Sequence, residues 1–188
     1  MTCVDEDVYI IGGANSAGQA AMNFARYARR VIMLVRGDSL AGSMSRYLID
    51  EIEKTPNIHV ELHSSVTEAH GETRLEAISV HCSSSGETTL VPASSLFIFI
   101  GAEPKTEWLG GLVERDARGF ILTGPDLRRN GKPSSGWPLA RDPALLEASV
   151  PGVFAAGDVR RGSVKRVASG VGEGSIAIQF IHQYLGDR

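Results

Sequence analysis

The sequence predicts an α/β fold built on a parallel sheet. Three observations predict it. Short β-branched runs alternate with helix-periodic stretches over the first sixty residues. Glycines gather where one such run hands over to a helix. A second apolar run, near residue 155, ends in Gly157-Asp158 and leads into one closing helix.

The elements follow in order. Val8–Ile11 is a β-branched run that stops at Gly12-Gly13. Ala17, Ala20, Ala21, Phe24, Ala25 and Ala28 then recur at spacings of three and four, which gives one apolar helical face. Val31–Val35 has buried-strand composition and is broken by Gly37-Asp38-Ser39. Met44, Tyr47, Leu48 and Ile52 mark a second amphipathic helix, closed by Pro56, and Ile58–Leu62 is a third strand. A β-α-β-α-β order requires parallel strands with right-handed crossovers. Residues 64–93 alternate strand-like runs (Glu76–Cys82, Thr88–Val91) with Ser/Gly turns, the pattern of a hairpin or meander.

Leu96–Ile100 is wholly apolar and is expected as a central strand buried on both faces, ending at Gly101-Ala102-Glu103-Pro104. Residues 105–150 are loop-rich, with a strand expected at Gly119–Leu122 and irregular structure from Pro125 to Pro143. Val153–Ala156 is expected as one more buried strand. Val167, Val171, Gly174, Ile178, Ile181 and Leu185 then form one stripe of a final helix.

Composition excludes several classes. The 188 residues carry 19 Lys+Arg against 22 Asp+Glu, and 43% are apolar, so neither disorder nor a strongly basic nucleic-acid surface is expected. Two distant cysteines, Cys3 and Cys82, make no disulfide framework and fit a reducing, cytoplasmic setting. The first residues lack the pattern of a secretory leader. No apolar run is long enough to cross a bilayer. The histidines show no ligand spacing beyond His59 and His63, so no metal site is expected. Trp108 and Trp137 read as packing residues and Cys82 as a small apolar filler. Arg128, Arg129 and Lys132 read as a solvated loop.

Two stretches carry chemistry. Gly12-Gly13-Ala14-Asn15-Ser16-Ala17 lies between a strand and a helix, the context in which a tight turn lets a pyrophosphate meet backbone N–H groups. Ala14 stands where a second glycine is expected, and Ala17 at the close-packing position. Arg36 ends the next strand, where an acidic residue would favour NAD and an arginine can meet the 2′-phosphate of NADP. Asp38, two residues on, leaves NAD open. Gly157-Asp158 ends the later apolar run. Gly157 allows close approach of a ligand, and Asp158 can accept a hydrogen bond from a sugar-like hydroxyl. Lys165-Arg166-Val167 opens the final helix, whose free N–H groups and dipole suit an electron-rich ring edge.

A nucleotide turn, an apolar run ending in G-x-x-P at Gly101, and then Val153-Phe154-Ala155-Ala156-Gly157-Asp158 with a helix resemble the pyridine nucleotide–disulfide oxidoreductases, and among them the low-molecular-weight thioredoxin reductase family. The resemblance covers nearly the whole chain. It implies a Rossmann-like NAD(P)H-binding domain with a β-meander over residues 1–102. It implies the C-terminal part of an FAD/NAD(P)-binding domain over residues 103–188. It places NADPH on Gly12, Gly13, Ala14, Asn15, Ser16, Ala17 and Arg36, with Gly101 at the strand end. Gly37 and Ala41 stand at two of the family's arginine positions, so Arg46, Ser43 and Ser45 are candidates to replace them. It places the FAD ribityl chain on Asp158 beside Gly157, and the flavin ring on Lys165, Arg166 and Val167.

The resemblance further implies hydride passing from the nicotinamide to the flavin and on to a redox-protein disulfide or another acceptor. No side chain of this sequence is then needed as an acid or base. The family's first FAD-binding turn and its Cys-x-x-Cys have no counterpart here. The stretches Gly12–Ala21 and Ser163–Ala177 resemble a branch found fused to regulatory domains, which lacks the usual dithiol. The expectation is therefore a partial chain not active alone. An NADPH-binding module or subunit without catalysis is the alternative. A missing N-terminal half or a homodimer, joined through the Val153–Ala156 region, is the expected partner. No nucleic acid or membrane is expected.

Overall fold

In a computed structural model, which describes residues 3–129, 132–133 and 136–186, the early β-branched runs become strands. The chain divides into two units, Met1–Gly101 and Ala102–Arg188.

In the first unit, β1 (Asp7–Ile11), α1 (Asn15–Phe24), β2 (Arg30–Leu34), α2 (Arg46–Lys54) and β3 (Ile58–Glu61) alternate as expected. A meander of β4 (Ser64–His70), β5 (Ala77–Cys82) and β6 (Thr88–Pro92) precedes β7 (Ser95–Ile98). The parallel sheet has the order β3-β2-β1-β7, and the antiparallel meander the order β4-β5-β6. The two-residue side-chain period decides the layers. Val8, Ile10, Val31 and Met33 face one way and pack with Ala17 and Ala21 of α1 and Leu48 and Ile52 of α2. Tyr9, Ile32 and Leu34 face the other way and pack on Ile78 and Val80 of β5. Each such aliphatic side chain contributes about 1.5–3 kcal/mol on leaving water. Below the sheet, Asp7 accepts hydrogen bonds from Arg29 and Arg30, which hold its carboxyl far below the usual carboxylate range.

The second unit (Ala102–Arg188) is poorer in regular structure. It holds 3-10 turns at Glu107–Leu109, Gly124–Leu127 and Gly157–Val159, and a short ladder of β8 (Arg128–Arg129) and β9 (Lys132–Pro133). Its long element is α3 (Val167–Gly186). Val113, Ile121, Ala148 and Ala155 form a small core with Leu109, Val150 and Val159 around it. Glu147 is fully buried here. It accepts two hydrogen bonds from Arg141, at 2.6 and 2.8 Å, and the N–H groups of Ala144 and Gly152, both at 2.9 Å. The Arg141 guanidinium also lies over the rings of Trp137 and Tyr184.

Several expectations need correction. Among the described residues β7 is an edge strand paired with β1 alone, not a central one. Phe97 and Phe99 pack toward α1 and Leu96 toward the meander, but Ile98 and Ile100 are 61% and 66% exposed. An all-apolar run reports two greasy faces, not two strand neighbours. Phe120–Leu122 is buried, yet among the described residues this stretch makes only single bridges through Ile121, to Arg115 and Arg160. Val153–Ala156 likewise makes one bridge, Glu147 to Phe154, because no continuous strand lies beside it among the described residues.

The stripe on α3 is exposed at Val167, Val171, Ile178 and Leu185, and only Ala177 of that helix is buried. Trp108 is 81% exposed, so it does not pack. Cys82 is half-buried and hydrogen-bonded to Ser84 Oγ at 3.1 Å, which lowers its thiol to a pKa of about 7, unlike an apolar filler. Arg128 pairs with Asp142, while the side chains of Arg129 and Lys132 lie outside the described residues. Among the described residues no helix is long and apolar enough to cross a membrane, and no group of three His, Cys, Asp or Glu is placed to hold a metal.

Candidate functional site

β1 ends where α1 begins, and Gly12 makes the join. Its φ is +139°, and a Cβ there would lie 2.5 Å from the Phe99 carbonyl oxygen and 3.2 Å from Ala17 Cβ. Only glycine fits that crossing. Ala14 is the N-cap of α1, no side chain caps the helix, and no acidic residue occupies its first turn. The N–H groups at such a terminus attract an anion.

The turn lines a groove of about 390 Å³ with Gly13, Arg36, Ser39, Ser43 and Gly101 also on its walls. It opens at the carboxyl ends of β1, β2 and β7, where ligands sit in open parallel sheets. A larger cleft, about 860 Å³, opens at the opposite strand ends among Asp5, Glu6, Asp7 and Arg74. It has neither a glycine turn nor a helix start, so the smaller groove is the candidate.

The groove gathers Gly12, Gly13, Ala14, Arg36 and Gly101 as the sequence suggests. Asn15 turns away, its Oδ1 accepting the N–H and Oγ of Ser45, and Ala17 is buried in the α1 packing face. Ser43 Oγ donates to the Gly13 carbonyl at 2.8 Å and so braces the turn. Arg46 does not line the groove. It is exposed and pairs with Asp50 one helical turn on. Sequence reasoning missed Ser39, whose only signal is its place in the break after β2.

The second constellation lies wholly within Ala102–Arg188. Gly157 has φ +78°, and its α-carbon faces that of Gly170 in α3. Gly157, Asp158, Lys165, Arg166, Val167 and Gly170 line a hollow of about 470 Å³. Lys165 Nζ donates to the Asp158 carbonyl at 2.8 Å and lies over the Phe120 ring. The Asp158 side chain is exposed, and no acidic residue stands in the first turn of α3. The hollow thus presents a carboxylate acceptor beside the positive end of a helix. Beneath it, Glu173 accepts the Gly157 N–H and pairs with Arg160. No residue spacing marks that pair.

Comparison with known proteins decides the family. The pyridine nucleotide-disulphide oxidoreductase profile matches residues 2–174. The chain belongs to that family. Among curated pyridine nucleotide-disulphide oxidoreductases, it is 29% identical over 181 residues to a thioredoxin reductase of Chlamydia trachomatis, covering 96% of this chain and 52% of the relative. It is 31% identical over 178 residues to NADPH-dependent thioredoxin reductase 3 of Arabidopsis thaliana, covering 94% and 30%. The crystal structure of T. acidophilum thioredoxin reductase matches with TM-score 0.70 and 27% identity, over 98% of this chain and 54% of that one. The chain therefore spans about half the length of most of the relatives it matches.

Proposed function

We propose that the first unit binds NADPH and that the second is the ribityl- and ring-binding part of an FAD site, in a thioredoxin reductase-like oxidoreductase. One observation carries the reading. Gly12 and Gly157 both have positive φ and end apolar runs; Gly12 leads directly into α1, Gly157 packs against Gly170 of α3, and neither α1 nor α3 holds an acidic residue in its first turn. The relatives' names supply the chemistry, and the chain's own groups fit it.

At the first site, Gly12, Gly13 and Ala14 would hold the pyrophosphate against the uncapped end of α1. Arg36, exposed at the end of β2, would meet the 2′-phosphate. Ser43 keeps the turn in place. At the second site, Asp158 would accept hydroxyls of the ribityl chain, and the start of α3 would face the electron-rich ring edge. When bound, the nicotinamide supplies hydride and the flavin accepts it. The protein's part is to orient and to exclude water. Contacts to the rest of FAD would come from a segment outside this sequence or from a second chain.

Cys3 is buried beside Ser95 Oγ, and the sequence holds no Cys-x-x-Cys. A disulfide-reducing step would therefore use thiols from elsewhere, and the sparse, distant cysteines support a cytoplasmic setting. The exposed stripe of α3 supports association, with a segment equivalent to the rest of the relatives' length or with a second copy as homodimer. A clean monomer in sedimentation at high micromolar concentration would count against the dimer.

The deciding experiment is calorimetric titration of the purified chain with NADPH and FAD separately. NADPH uptake without FAD supports an intact nucleotide unit whose flavin site is completed elsewhere, with catalysis in the longer assembly. Stoichiometric FAD uptake supports a flavin site formed by this chain or its dimer. Uptake of neither overturns the reading.

A further inference from the structure

We infer that Glu173, with Arg160, is a positioning residue for Asp158: it sets the Gly157–Asp158 turn and so aims the Asp158 carboxylate into the hollow at the start of α3. The inference deepens the flavin reading of the second unit and rests on it. The geometry is specific. Glu173 Oε2 accepts the Gly157 N–H at 2.7 Å and Arg160 Nε at 3.2 Å, while Oε1 accepts Arg160 Nη2 at 2.5 Å. Both side chains are only 16% exposed. The guanidinium beside Glu173 holds its carboxyl below the usual glutamate range.

Gly157 sits in the left-handed region, and Arg160 is the residue that leaves the following 3-10 turn. One carboxylate on the second turn of α3 therefore grips both ends of a three-residue turn. Lys165 grips the same turn from the other side, through the Asp158 carbonyl. The Gly157 N–H and the Asp158 carbonyl are thus each held by a side chain, and the exposed Asp158 side chain lies at the hollow. Backbone bonds fix the far end of the turn, Ile121 N–H to the Val159 carbonyl and Arg161 N–H to the Ile121 carbonyl, whereas the Gly157–Asp158 end relies on Glu173 and Lys165. Removing Glu173 frees the Gly157 N–H and leaves Arg160 to swing out into water. Asp158 keeps its chemistry but loses its aim.

The test compares wild type with E173A and E173Q in the same 188-residue chain. Glutamine keeps a neutral acceptor for the Gly157 N–H, so it should rescue what alanine loses. The first readout is the Gly157 amide by NMR. A charged acceptor at this distance should shift it downfield and slow its exchange. E173A should speed that exchange at least about tenfold, and E173Q should restore most of the protection. The second readout is FAD affinity by fluorescence quenching, expected to fall at least about tenfold in E173A and less in E173Q. Folding of the second unit in each variant is checked by the amides of Ala148 and Ala155, bonded within its core, which should not change.

An unchanged Gly157 amide in E173A overturns the inference. So does an altered amide with undiminished FAD affinity, or a glutamine variant that behaves like alanine. If wild type takes up NADPH but no FAD, the flavin site is completed elsewhere, and the Gly157 amide and its rescue decide by themselves whether Glu173 sets the turn; uptake of neither cofactor overturns the flavin reading, not the positioning of the turn.

Discussion

Truncating Arg141 to leucine should destabilise the second unit by about 3 kcal/mol, with the first unit untouched. Glu147 has no solvent exposure, whereas the Arg141 side chain is 38% exposed. Losing the guanidinium strands a buried carboxylate on two backbone N–H groups. Breaking a buried pair from one side costs about 3–5 kcal/mol, and the partial exposure of Arg141 puts this case at the low end. E147Q should be milder, because it removes the charge together with its desolvation cost and keeps an acceptor.

The pH response separates the two. Burial raises the Glu147 pKa, but the bonds from Arg141, Ala144 and Gly152 outweigh it and leave the carboxyl below the usual glutamate range. Its stabilisation is therefore present above the unfolded glutamate pKa and is lost as pH falls through the lower folded value. Both tryptophans, Trp108 and Trp137, lie in the second unit, so intrinsic fluorescence during urea unfolding reads that unit directly. Measured at about pH 7 and about pH 4, wild type should lose stability on acidification, and E147Q should lose less. An R141L variant within about 0.5 kcal/mol of wild type, or identical acid limbs for wild type and E147Q, would refute the reasoning.

Three further outcomes are expected. G12A should lower the melting temperature of the first unit and abolish measurable NADPH binding, since both the positive φ and the Phe99 carbonyl oppose a methyl group; calorimetry of the variant checks both. R36A should weaken NADPH about tenfold while leaving NADH unchanged, read as the ratio of the two dissociation constants. Cys82 should alkylate with a midpoint near its pKa of about 7, far faster than buried Cys3; Ser84, whose hydroxyl is the main cause of the lowered value, should raise that midpoint when changed to alanine, read by mass spectrometry across pH.

Much of the first unit was legible because its cues are local. Val8-Tyr9-Ile10 alternates between two buried faces, and the Gly12 turn needs only a strand before it and a helix after it. The rest depends on neighbours that sequence spacing does not name. Leu96–Ile100 is apolar enough for a central strand, but its place at the edge depends on which strands exist to flank it. Glu147 and Arg141 stand six residues apart in a proline-bounded loop with no period, so nothing marks one as buried and charged. Glu173 occupies an ordinary polar helix position, and its partner Gly157 is sixteen residues away. Arg46 is exposed and pairs with Asp50, a partner its own helix offers one turn on, which spacing to the Gly12 turn does not reveal.

α3 spans 20 residues with a single buried side chain. A helix in water gains most of its stability from an apolar face pressed on something. Here that face is open at Val167, Val171, Ile178 and Leu185, so the helix is held mainly by its ties at Glu173, Tyr184 and Ala177. Whatever covers the stripe, and whatever anion settles at the helix start, would be thermodynamically linked to its order. Cofactor uptake and completion of α3 then become one equilibrium, in which a cover bound first lowers the cost of binding for the ligand that follows.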